Sequence, residues 1–244
     1  MKKKRASQAV PRKDREGRPI NNEILLAMTP REFNLIQPHL QFVDLVQHRV
    51  LYEPHGKLKF IHFPNRGLIS LVVVLKNGKT VEAGIVGKEG ASGTALSAGI
   101  NSSALREIVQ IAGDGFRVKS ADFQKLLTIA PDLRNALNRY VVLLGMQVSQ
   151  TAACNRLHEI EQRLARWLLM AEDSAATATL RITHDFLATM LGTDRPSVTL
   201  AAGMLQKAQL IEYRRGAVRI INRPQLEAFA CECYAVIRDY ARKF

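Results

Sequence analysis

Residues 181–222 read RITHDFLATMLGTDRPSVTLAAGMLQKAQLIEYRRGAVRIIN. Thr183 stands where an N-cap belongs, ahead of a helical pattern through Asp185, Phe186, Leu187, Ala188, Met190 and Leu191. Gly192 ends that run. A second helix is expected to open at Asp194, with Pro196 in its first turn, and to continue through Val198, Leu200, Ala201, Met204 and Leu205 to Ala208. Two helices joined so tightly must cross steeply, which needs a small side chain where they touch and a glycine where the backbone reverses. Ala188 and Gly192 occupy those places, and Leu187, Leu191, Val198 and Ala201 have the spacing to fill the contact. Beyond them, runs 210–213 and 217–221 flank Arg214-Arg215-Gly216, a β-hairpin with a basic tip. The stretch reads as a helix-turn-helix followed by a wing.

A helix presented in this way can lay its N-terminal half along the major groove of duplex DNA. Arg195 is the strongest candidate for reading bases, because its planar fork matches the N7 and O6 acceptors of guanine. Asp194 opens the helix, Ser197 and Thr199 are secondary readers, and Thr193, Arg214 and Arg215 are candidate phosphate clamps. The plainer reading of Arg195 is a solvated pair with Asp194 or Glu212.

Upstream lies a helix over 159–171 with Ile160, Leu164, Trp167, Leu168 and Ala171 on one face, then a stretch over 174–179 expected to be flexible. Before it, Ala130-Pro131-Asp132 opens a long helix reaching His158. Its positions 133, 137, 140, 144, 147, 151, 154 and 158 read Leu, Leu, Tyr, Leu, Gln, Thr, Cys, His. That seam suits either an ordinary buried helix or the contact line of a parallel pair, and its place between two domains favours pairing. Ser120-Ala121-Asp122 caps a shorter helix reaching Ile129.

Between 47 and 119 the texture is that of short strands. Val50, Tyr52 and runs 60–63, 68–75, 80–86 and 108–112 are separated by turn residues at 54–56, 64–67, 77–78 and 113–115. This pattern predicts a compact antiparallel barrel or sandwich, with Asn77-Gly78 its surest hairpin. From 22 to 45 one or two short helices are expected, with Thr29 capping one and Pro30 at its first position.

The chain has 244 residues, is 47% hydrophobic and carries a formal charge of +13, which favours an anionic partner. A net six of those charges fall in residues 1–19, a segment poor in bulky apolar residues and expected to be disordered. No apolar run is long enough to span a membrane and Met1–Arg5 precedes no export signal, so a cytoplasmic location is expected. Cys154, Cys231 and Cys233 look too scattered for a disulfide framework, and a structural, reduced state with no metal is expected. No catalytic set of acid, base or nucleophile is found, so an enzyme is not expected.

Four pieces resemble the Crp/Fnr family of bacterial regulators: Phe63-Pro-Asn-Arg-Gly-Leu-Ile-Ser70, Val86-Gly-Lys-Glu-Gly90, Glu161-Gln-Arg-Leu-Ala-Arg-Trp-Leu-Leu169 and Asp194-Arg-Pro-Ser-Val198. The likeness covers nearly everything after residue 20. It implies an α+β chain with a tail over 1–19, an antiparallel, cyclic-nucleotide-binding-like β-roll sensor over 20–130 and a dimerisation helix over 131–157. A winged helix-turn-helix over 158–226 and a C-terminal helix over 227–244 complete it. It also implies a transcription regulator that binds double-stranded DNA as a homodimer on a two-fold symmetric operator, with RNA polymerase a further candidate partner and no membrane. Arg195 falls where family members use an Arg for base contact. Pro196 replaces a frequent Glu, and Leu200 a polar residue, so a different base preference is expected.

The sensor departs further. Ala91, after Gly90, stands where the resemblance implies a Glu for a ribose hydroxyl, and Ser102-Ser103 where it implies an Arg-Ser pair; Arg106 lies three residues late. On the long helix Val148-Ser149 replaces a Thr-Ser pair. Such a cassette leaves a cyclic phosphate uncompensated, which argues against a cyclic nucleotide. An iron–sulfur cluster would need N-terminal cysteines, and none precedes Cys154; His39, His48, His55 and His62 give haem only weak support. No cofactor is identified and the effector stays open. The alternative is a small-molecule-binding module whose winged domain mediates protein contacts.

Overall fold

The computed structural model describes residues 11–243. Helices α1 (Glu23–Ala27) and α2 (Pro30–Ile36) open the chain, with Asn22 and Thr29 accepting the N–H groups of Leu25 and Glu32 as side-chain caps. Five antiparallel strands follow: β1 (Gln41–Leu45), β2 (Val50–Tyr52), β3 (Phe60–Val74), β4 (Thr80–Val86) and β5 (Arg106–Lys119). Their order is β1-β5-β3-β4, with β2 also on β5. β3 and β4 meet through the loop at Asn77-Gly78, where Gly78 takes a φ of +81° and Asn77 Oδ1 accepts the Lys79 N–H.

The turns expected at 64–67 and 113–115 are not turns. Both stretches lie inside β3 and β5, which run antiparallel over their full length with the register shifting at Pro64, Arg66 and Leu68. The glycines serve close backbone approach instead: a Cβ on Gly67 would sit 2.6 Å from the Ile111 carbonyl oxygen, and one on Gly113 2.1 Å from that of Arg66. A bulge tolerates Pro64 because the ladder is already interrupted there. β1, within the stretch read as helical, was also missed.

Residues 11–19 are folded onto the roll rather than disordered; residues 1–10 of the expected tail lie outside the described residues. Asp14 accepts the backbone N–H groups of Glu16 and Arg18 and the Arg18 guanidinium, while the Arg12 and Arg18 guanidinium groups stack on Phe33 and Phe42 at 4.8 and 4.5 Å. Charge-assisted bonds and ring contacts supply what the missing apolar side chains could not.

Helix α3 (Ser120–Ile129) starts after Lys119 without a side-chain cap, so Ser120 is its first residue and not its cap. Helix α4 (Pro131–Leu157) is the long helix. Its N-terminus is capped from α2, where the Glu32 carboxylate accepts the backbone N–H groups of Asp132 at 2.9 Å and Leu133 at 3.2 Å.

The seam read on α4 faces inward, against the expectation of pairing. Leu133, Leu137 and Tyr140 belong to the core of the roll. Gln147 Oε1 accepts the Ile85 N–H of β4 at 2.7 Å, Thr151 accepts from Arg166, and Cys154 lies against Cys231. The polar half of the seam therefore has partners inside the chain. The stripe left exposed is Asn138, Val141, Val142, Gly145, Ser149, Ala152 and Arg156.

Helix α5 (Ile160–Ala175) runs four residues past its expected end, taking in part of the supposedly flexible 174–179. The short strand β6 (Leu180–Arg181), helices α6 (His184–Leu191) and α7 (Arg195–Lys207), and strands β7 (Ile211–Arg214) and β8 (Ala217–Ile220) follow, with sheet order β6-β8-β7. Helices α8 (Arg223–Phe229) and α9 (Cys233–Ala241) end the described chain. α8 spans the boundary expected at 226.

One apolar core joins the roll to the second half of the chain. Leu68, Val72, Ile85 and Ile111 pack together with Leu164, Leu168, Leu187, Leu191, Val198 and Leu205. Buried at this junction, the Trp167 Nε1–H donates to Glu82 Oε1 at 2.7 Å, and Ser70 Oγ–H donates to the other oxygen. Burial pushes the Glu82 carboxyl up to about 7, offset in part by the bonds from Ser70 and Trp167 and the nearby Arg166 charge.

Candidate nucleic-acid interface

The turn between α6 and α7 has the expected geometry. Thr183 Oγ1 accepts the Phe186 N–H at 3.3 Å to start α6, and Gly192 ends it at a φ of +62°. The Thr193 N–H donates to the Ala188 carbonyl at 2.9 Å, with the Ala188 methyl buried at the crossing. Leu187, Leu191, Val198 and Ala201 are all within the shared core.

At the start of α7, Asp194 Oδ1 accepts the Ser197 N–H at 2.8 Å and Oδ2 accepts the Ser197 hydroxyl at 3.1 Å, which holds the Asp194 carboxyl below its ordinary range. Ser197 thus reinforces the cap. Arg195 is exposed and pairs with Asp185 of α6 at 3.3 Å, instead of with the Asp194 or Glu212 considered from the sequence. Both members of that pair are open to solvent, so it holds Arg195 weakly and leaves the guanidinium available.

Thr199 is exposed, but its hydroxyl is used within the chain. It donates to the Arg195 carbonyl at 2.9 Å and accepts from His184 Nδ1 at 3.0 Å. The His184 ring in turn stacks on Tyr213 of β7, centroids 4.2 Å apart. Burial, then the Arg195 charge, pulls the His184 imidazole below its ordinary value. His184 therefore ties α6, α7 and the wing together. Sequence reasoning passed over it, because a His at a first helical position carries no signal until its neighbours are known.

The wing turns through Arg215-Gly216, with φ of +48° and +73°. Arg214 pairs with Ala217 in register, so this is a two-residue turn with both centres left-handed. Arg214 and Arg215 are exposed, while Glu212 is engaged by Arg214 at 3.4 Å and Arg219 at 3.0 Å. The outward face of α7 also presents Leu200, 71% exposed, and Met204, 54% exposed, two apolar residues that nothing among the described residues covers.

In the roll, the cassette donors point at an internal acid. The Glu107 carboxylate accepts from Ser92 Oγ, from the Gly93 N–H at 3.0 Å and from Ser103 Oγ at 2.9 Å, and burial raises its pKa. Arg106 bonds outward to Glu53 at 2.9 Å. Ala91 is buried, Ser102 is exposed, and a Cβ on Gly90 would collide with the Tyr140 ring.

No helix among the described residues is long and apolar enough to cross a membrane. Residues 162–229 match the family described as the Crp-like helix-turn-helix domain. No curated protein matches the chain. Among solved structures, the chain is similar to FixK2 from Bradyrhizobium japonicum, at 13% identity and a TM-score of 0.65, covering 79% of this chain and 98% of that one. It is also similar to the c-di-GMP-responsive global regulator CLP of Xanthomonas campestris, at 14% identity and a TM-score of 0.64, covering 79% and 99%. A CRP-family transcriptional regulator from Thermus thermophilus matches at 18% identity and a TM-score of 0.63, covering 77% and 96%.

Proposed function

We propose that this chain, which has the fold of Crp/Fnr regulators and a Crp-like helix-turn-helix domain, is a transcription regulator that reads duplex DNA as a homodimer. The observation that carries the reading is the outward face of α7. It is capped by Asp194, tied to the wing through His184 and Tyr213, and flanked by exposed Arg195, Arg214 and Arg215. Arg195 exchanges its weak pair with Asp185 for a guanine edge, and Leu200 and Met204 suit thymine methyl groups. This face departs from polar readers, so the operator differs from those of relatives with a Glu at the Pro196 position.

Dimerisation is assigned to the exposed stripe of α4. Val141 and Val142 supply apolar surface, and Gly145, Ser149 and Ala152 allow close helix approach on the same face. Two copies then present two reading helices to successive major grooves. A cyclic nucleotide is not the effector in this reading. Glu107 takes up the cassette's hydrogen-bond donors, and Arg106 bonds outward to Glu53.

Selection of bound sequences from a random duplex pool tests the function. A two-fold symmetric site with half-sites about one helical turn apart is expected. Retention of no DNA at moderate salt by a folded dimer sinks the reading in favour of a winged domain used for protein contacts.

A further inference from the structure

The three cysteines read as scattered converge at one point with a histidine. Cys154, His158, Cys231 and Cys233 place one ligand atom each within 4.8 Å of all the others, and the three thiols are buried. Cys154 lies in the last turn of α4 and His158 is its C-cap, and Cys231 and Cys233 flank Glu232 at the start of α9. Cys154 and Cys231 sulfurs are 3.4 Å apart, and Cys233 Sγ lies 3.5 Å from His158 Nδ1. A tetrahedral zinc ion with three thiolates and an imidazole has S···S edges of about 3.8 Å and S···N edges of about 3.5 Å. An iron–sulfur cluster holds its ligands much further apart.

Two further observations point the same way. The His158 Nε2 faces the Glu232 carboxylate at 3.1 Å, which leaves Nδ1 for a ligand and fixes the ring as metal-binding imidazoles are commonly fixed. Arg166, 2% exposed, forms no ion pair among the described residues and has a buried Nε without a partner. Its charge is felt at both the Cys154 sulfur and the Glu82 carboxyl. A buried guanidinium needs a counter-charge. Three thiolates around a dication supply it, since the assembly carries one net negative charge once the three thiol protons have gone to solvent.

We infer that Cys154, His158, Cys231 and Cys233 form a mononuclear, four-coordinate site for zinc that clamps the C-terminal helix to the end of the long helix. The site closes at His158, which with Glu159 links α4 to α5 and hence to the winged domain. The inference stands apart from DNA binding.

The test is titration of the reduced full-length chain with cobalt(II) chloride in the absence of air, followed by zinc chloride. Strong visible bands of tetrahedral cobalt with thiolate charge transfer, saturating at one ion per chain and bleached by zinc, are expected. His158→Cys should keep those bands, while His158→Ala and Cys233→Ser should weaken binding about tenfold or more. A faint octahedral cobalt spectrum overturns the proposal, as does reaction of all three thiols with a disulfide reagent at one rate with and without zinc. A Cys154–Cys231 disulfide in freshly purified, metal-free chain likewise overturns it, in favour of a thiol pair. The titration of the parent chain decides the matter even where a variant does not fold.

Discussion

Arg195 is held by a single solvent-exposed carboxylate, so little is lost when it turns to a base. Arg195→Ala should weaken specific DNA binding by about 1–3 kcal/mol and relax preference at one base pair per half-site; quantitative footprinting that finds affinity and preference unchanged removes Arg195 from the reading role. Gly192 is constrained twice, by its φ of +62° and by Val81, whose Cγ2 would lie 3.2 Å from an added Cβ. Gly192→Ala should cost about 1–2 kcal/mol of stability in a denaturant titration. The sequence showed the need for a glycine there, because a reversal between two helices is a local matter. It could not show that the same glycine lies against the β-roll, since Val81 is more than a hundred residues away.

At the scale of elements, the wing carries its charge on a turn that glycine suits equally well. Arg215→Gly should leave the hairpin intact and lower the slope of log affinity against log salt by about one for each wing on the duplex. An unchanged slope would place Arg215 off the phosphates. On α4, Val142→Asp should shift sedimentation from dimer to monomer, because it puts a carboxylate into the exposed stripe and not into the inward seam. The long helix, the helix-turn-helix and the β3–β4 hairpin were legible because each is set by periodicity and turn chemistry within some thirty residues. The inward direction of the α4 seam was not, since an apolar line of spacing three and four looks the same whether it meets a second copy or the chain's own roll. The bulges in β3 and β5 were mistaken for turns for a similar reason: glycine marks both, and only the partner strand distinguishes them.

Across the whole molecule, the β-roll and the helix-turn-helix half share a core with a titratable group inside it. Burial raises the folded-state value of Glu82 from 4.5 to about 7, so the folded chain holds a proton that the unfolded chain releases in between. Its contribution to stability is complete below pH 4.5 and lost as pH rises through about 7, by an amount on the order of 3 kcal/mol. Glu82→Gln keeps an acceptor for Trp167 and offers an amide N–H that the Ser70 hydroxyl can accept by rotating, so the stability gap between variant and parent should widen in the variant's favour from pH 5 to pH 8. A gap independent of pH would show that Glu82 does not titrate there. Neither this junction nor the meeting of Cys154 with Cys231 has a local signature, which is why the sequence left both unread. Trp167 is the chain's one tryptophan, and it sits at this junction with its indole bonded across to the roll. The protein therefore carries its own optical reporter: a compound that parts the two halves wets the indole and shifts its fluorescence to the red, so unlabelled protein can be screened against collections of small molecules.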